Sequence, residues 1–116
     1  MSEPIEIVEA SPIANAAILR VIGRLDARSA PVLERRGMVV KASGRHLILN
    51  LQGVTFIASS GLGALLALVE EFRKSGLQIR LASVSSPVQG VLTLLNVGAF
   101  HAMHATEESA LQAMKE

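Results

Sequence analysis

The sequence predicts a single α/β domain spanning residues 1–116: a mixed, mostly parallel sheet of four to five strands with about four helices. Three observations carry that expectation. After two opening extended runs, strand-like segments alternate with segments of helical spacing, the order of chains that cross back over a parallel sheet. Half of the 116 residues are apolar and 18% are charged, which supplies one core. The length fits one ordinary domain, and neither an internal repeat nor a low-complexity linker divides it.

The elements follow in order. Ile5 to Glu9 alternates apolar and acidic residues and reads as a short edge strand. Ala10 to Asn15 contains Ser11, Pro12 and Asn15 and reads as a loop. Ala17 to Ile22 is a β-branched apolar run closed by Gly23, a strand pairing antiparallel with the first. After Asp26, Ala30, Leu33, Gly37, Val40 and Lys41 share one helical face, and Pro31 suits the first turn. Ser43-Gly44 closes that helix, and His46 to Leu51 reads as a buried strand. A second helix starts at Ser59-Ser60-Gly61 and runs to about Lys74. Leu62, Leu65, Leu66, Val69 and Phe72 form its expected core face; Ala64, Ala67 and Leu68 fall off it. Leu77 to Ala82 alternates as a strand. Ser85-Ser86-Pro87 opens a third helix through Leu95, with serine as the cap. A weak strand is expected around His101–His104, then a helix from Thr106 with Ala110, Leu111 and Met114 inward.

Composition excludes several functions. Eleven Lys+Arg balance ten Asp+Glu, which is no surface for nucleic-acid phosphates, and the 3% aromatics give no base-stacking platform. Without cysteine there is no disulfide, thiol nucleophile or cysteine–zinc site. Asp26 is the only aspartate, so paired catalytic carboxylates are hard to assemble. His101 and His104 lack an evident third ligand, and no metal is expected. No phosphate-cradling glycine loop follows a strand, so no cofactor is expected. The acidic N-terminus does not read as a secretory signal, and the apolar stretch Val54 to Val69, broken by serines and glycines, falls short of the roughly 20 residues of a membrane span. The expectation is a soluble cytoplasmic binding domain that is not an enzyme, neither binds nucleic acid nor inserts into membrane, and whose oligomeric state the sequence leaves open.

One stretch concentrates chemical possibility: Val54-Thr55-Phe56-Ile57-Ala58-Ser59-Ser60-Gly61-Leu62-Gly63. It delivers two serines and two glycines to the start of an apolar helix. Free amides and the helix dipole there would hold a phosphoryl group on a serine. Gly61 and Gly63 are expected to keep the approach clear. A serine at a helix start also serves as a plain N-cap, and on spacing alone both readings stand. Arg24, Arg28, Arg35 and Arg36 gather around the first helix, as a solvated face or as a surface for an acidic partner.

Gly23-Arg24-Leu25-Asp26 looks like the Gly-x-Leu-Asp of the STAS domains, and Ser59-Ser60-Gly61-Leu62-Gly63 looks like their Asp-Ser-Ser-Gly-Leu-Gly signature, preceded by the strand Leu47-Ile48-Leu49-Asn50-Leu51. Over nearly its whole length the chain resembles the stand-alone anti-sigma factor antagonists of bacteria. The resemblance implies a partner switch. A GHKL-type serine kinase that is also the anti-sigma factor phosphorylates the position of Ser60, and a PP2C-type phosphatase resets it. The unmodified form binds the kinase and frees the sigma factor, with Asp26, Ser59, Ser60, Gly61 and Leu62 as expected partner-binding residues. Asp26 can equally cap the first helix. The sequence departs from the signature at Ala58, where the family usually has aspartate. That departure keeps two other roles of such domains in view: a scaffold subunit of a signalling complex, or a cytoplasmic accessory subunit of a lipid ABC transporter.

Overall fold

The computed structural model of the protein describes residues 4–95 and 103–115. Its elements run β1 (Ile5–Ile13), β2 (Ala16–Leu25), α1 (Ala30–Ala42), β3 (His46–Ile57), α2 (Ser59–Lys74), β4 (Ile79–Ala82), α3 (Ser86–Leu95), β5 (Met103–His104) and α4 (Glu107–Lys115). The five strands lie in sequence order, with β1 antiparallel to β2 and every later pairing parallel. This is the expected single α/β domain with a mixed, mostly parallel sheet.

Sequential strand order decides where the helices go. Each crossover from β2 to β5 advances the same way across the sheet, so a common right hand puts all three connecting helices on one face. That face holds the larger core. Leu19, Val21, Leu49 and Leu51 from the strands meet Leu33 and Val40 of α1, Leu65, Leu68 and Phe72 of α2, and Val88 and Leu92 of α3. Among the described residues the opposite face receives only α4, whose Ala110 and Met114 close over Ala16, Ile18, Ile48 and Ala82. Arg20 on β2 anchors α4 through a two-pronged pair with Glu107 at 2.8 and 2.9 Å, and Asn50 adds a bond at 2.6 Å.

Several elements differ from expectation. β1 does not stop before Ala10: it continues to Ile13, and only Ala14-Asn15 turns. Pro12 is tolerated because β1 is an edge strand, and the pairing is irregular between Ala10 and Ile13. β2 passes through Gly23 to Leu25, and β3 extends to Ile57 rather than Leu51. Gly53 carries β3 past Ile22, whose side chain would lie 2.8 Å from an added Cβ. β4 is shorter than expected, beginning at Ile79, and β5 comprises Met103–His104; His101 lies outside the described residues. Ser85 is not a working cap for α3, since its hydroxyl is buried with no hydrogen-bond partner among the described residues.

The largest correction is the facing of α2. Its buried residues are Gly61, Ala64, Leu65, Leu68 and Phe72; Leu66, expected in the core, is 37% exposed, while Leu62 and Val69 are half-buried and pack against the core as expected. The helix is turned because it packs on α1 as well as on the sheet. Gly37 of α1 sits so close that an added Cβ would fall 2.6 Å from the Leu68 side chain. Lys41 on α1 bonds Glu71 on α2 at 3.0 Å across the same contact.

Candidate functional site at the start of the second helix

β2 and β3 run parallel and end together, with Arg24 opposite Phe56 and Leu25 opposite Ile57. The chain leaves β2 through a tight turn into α1 and leaves β3 directly into α2, so both helix starts lie at one end of the sheet. Ligands and partners of open parallel sheets usually engage that end. Leu25 couples the two exits: its carbonyl accepts the N–H of Ala58 at 2.8 Å.

Ala58 is the N-cap of α2, in extended conformation, and no side chain among the described residues caps the helix. Ser59 and Ser60 therefore occupy the first two helical positions, and neither is the N-cap that spacing alone allowed. The first intrahelical bond is Leu62 N–H to Ala58 O, at 3.0 Å. The amides of Ser59, Ser60 and Gly61 precede it and meet no capping side chain. Such amides, with the dipole behind them, favour an anion. Ser59 is exposed and Ser60 half-exposed.

The two signature glycines do different things. Gly63 is exposed with open space around it, as expected of a cleared approach. Gly61 is buried, and a Cβ there would lie 2.5 Å from the Leu25 carbonyl oxygen. It seats the first turn of α2 against the end of β2, and in this conformation it is no part of the surface. Leu62 is half-buried and Leu66 exposed, one turn apart along the helix. Leu62 packs against the core as expected, whereas Leu66, also expected in the core, is exposed; with the open edge of Leu62 it makes an apolar strip running from the serines.

Asp26 follows Leu25 directly and holds the turn that precedes α1. Its carboxylate accepts the N–H of Arg28 at 3.1 Å and of Ser29 at 3.3 Å. The Ser29 hydroxyl, itself buried, donates to the Arg24 carbonyl at 2.5 Å and accepts the Asp26 N–H. Burial is the largest influence on the Asp26 carboxyl and opposes ionisation. The Ser29 and Arg28 amides, the Ser29 hydroxyl and the Arg24 charge together outweigh it and hold the group below its ordinary value. Asp26 thus organises the turn, while the N-cap position of α1 itself belongs to Ser29. Arg24 lies over the ring of Phe56, 4.2 Å from its centre, and Phe56 is 39% exposed. Nothing in the sequence pattern singled out Phe56; the parallel register that sets it beside Arg24 is the signal that exposes it.

Among the described residues no group of three acidic or histidine side chains could hold a metal ion, and no helix is long and apolar enough to cross a membrane.

Comparison with known proteins agrees with the fold. Residues 5–110 match the model of the STAS domain. An anti-sigma factor antagonist from Mycobacterium paratuberculosis superposes with a TM-score of 0.85 at 23% identity, covering 100% of this chain and 98% of that one. The anti-sigma factor antagonist SpoIIAA in its unphosphorylated form gives 0.79 at 22% identity, over 95% and 96% of the two chains. The STAS domain of a SulP transporter from Vibrio cholerae gives 0.68 at 23% identity, over 90% and 84%.

Proposed function

This chain belongs to the STAS domain family, and from that premise we propose that it is a cytoplasmic anti-sigma factor antagonist whose docking is switched by phosphorylation of Ser60. The observation that carries the reading is the first turn of α2, where Ser60 stands half-exposed among amides that no side chain caps. Unmodified, the surface offers Ser59, Ser60 and Leu62, with Leu66 and Phe56 as apolar neighbours and Asp26 on the adjoining turn. A phosphoryl group on Ser60 adds about −1.5 to −2 charges at the head of that apolar strip. The free amides of α2 stabilise the added charge within the chain, while a partner that had buried Leu62 and Leu66 would have to desolvate it. The chain performs no chemistry of its own in this scheme. Its partners are a GHKL-type kinase that doubles as the anti-sigma factor and a PP2C-type phosphatase.

Ala58 supports a second reading. The cap position that carries aspartate in the signature is silent here, as it could be in a chain kept as a scaffold subunit or as an accessory subunit of a lipid ABC transporter. One experiment separates the readings. Incubated with ATP and the GHKL-type kinases encoded in the same genome, the chain should take up one phosphate, located on Ser60 by fragmentation mass spectrometry, and Ser60→Ala should abolish uptake. Phosphate on Ser59 or Thr55 would overturn the residue assignment. No uptake with any of those kinases would favour the scaffold.

A further inference from the structure

β1 is the outer strand of the sheet, so among the described residues the backbone groups along its free side have no strand partner. Its far end is guarded by Pro12 and by the irregular pairing between Ala10 and Ile13. The run from Ile5 to Ala10 pairs regularly with β2 and has no such guard. Beside the start of that run, α1 leaves a groove lined by Ile5, Ile7 and Val32 and edged by Glu6, Arg35 and Arg36. Ile7 and Val32 are half-buried against the core, which fixes the apolar floor. Arg35 is exposed and forms no ion pair among the described residues. Arg36 reaches Glu9 only at 3.5 Å.

We propose that this edge binds an extended acidic segment of a partner protein, added as a further strand beside β1. A groove between an exposed strand edge and a helix is where peptides add to sheets: main-chain bonds give affinity, and alternate side chains read the groove. Here apolar side chains of the segment meet Ile7 and Val32, and its carboxylates meet Arg35 and Arg36. The same arginines argue against a second copy of this chain. Two-fold pairing of β1 with itself would set two α1 helices side by side across the axis, each turning Arg35 and Arg36 toward its mate. The edge is separated from β3 and the Ser60 turn by β2, so a partner could hold both surfaces at once.

The test uses the full chain and two labelled probes: a ten-residue peptide with threonine at every second position and valine and glutamate taking turns between, so that both face α1, and its valine–lysine counterpart. By fluorescence anisotropy the glutamate peptide should bind about tenfold or more tightly than the lysine peptide, and Arg35→Glu with Arg36→Glu should reverse that preference. Both arginines are at the surface, so the double variant is expected to fold, and circular dichroism checks that it does. In an amide NMR spectrum the glutamate peptide should shift Ile5 to Ala10, the residues facing the added strand. Three results would each overturn the proposal: no preference between the peptides, shifts confined to the Ser60 turn, or self-association through β1 with no peptide present.

Discussion

At position 58 the start of α2 lacks the side chain that would close it. An aspartate there would accept N–H bonds from Ser60 or Gly61 and place a negative charge at the positive end of the helix. Ala58→Asp should therefore raise stability by about 0.5–2 kcal/mol, read as a higher urea midpoint at unchanged slope. The same carboxylate would compete with a phosphoryl group on Ser60 for the same amides. In the phosphorylated chain the gain should shrink or vanish. An equal gain in both forms would show that the phosphate does not use these amides, and the switch as drawn would fail. Much of the site is legible at this scale: the signature places Ser60, and Asp26 falls in a turn. What the residues alone do not give is which of three neighbours is the cap, because Ser59 and Ser60 both have the chemistry of a cap and Ala58 has none. Only the extended conformation of Ala58, tied to Leu25, settles it.

For α2 as an element, the pattern was ambiguous for a physical reason. Its first ten residues are apolar or small on almost every side, so the spacing of leucines alone favours a face centred on Leu62, Leu65 and Leu66. The buried face instead includes Gly61, small because the end of β2 comes close, and Ala64. A count of large side chains gives such positions no weight. Leu65→Ala and Leu66→Ala test the facing directly. Leu65 is fully buried, and its truncation should cost about 2–5 kcal/mol through lost burial and an unfilled cavity. Leu66→Ala should stay within about 0.5 kcal/mol, yet weaken docking of the proposed kinase if the strip beside Ser60 is the contact. Equal losses in urea unfolding would mean that both leucines are core. By contrast, α1 was readable because its pattern has one answer: Ala30, Leu33, Gly37 and Val40 are all buried.

Across the whole molecule, the order of elements was legible in the sequence, but the layer formed by α4 was not. Its anchor joins Arg20 to Glu107, 87 positions apart, and no local pattern pairs them. That anchor and the neighbouring His104 make the second face sensitive to acid. Arg80 donates to His104 Nε2 at 3.1 Å, which requires that nitrogen unprotonated, so Nδ1–H faces the Ser109 hydroxyl at 3.2 Å. Burial first, and then the Arg80 charge, lower the His104 value. The unfolded chain, with a histidine near 6.5, therefore binds more protons, and stability falls as pH drops below about 6.5. For Glu107 the Arg20 hydrogen bond is the main cause of a lowered value, with burial opposing it and Asn50 and the Arg20 charge assisting. Its contribution is complete above an ordinary carboxyl value of about 4.3 and is lost as pH falls through the lower folded value. Acid should thus loosen the β5 and α4 layer in two steps, ahead of the core under α1 to α3. Hydrogen exchange from pH 7 down to about pH 2, below the lowered Glu107 value and corrected for intrinsic rates, should show α4 amides losing protection before those of α2. His104→Gln should remove the first step. Glu107→Gln should already be less protected at pH 7 and converge with the parent chain in acid, where the parent's Glu107 is also neutral. If α4 and α2 lose protection together in all three chains, the second face is no separate layer, and its charged anchor does not govern the acid response.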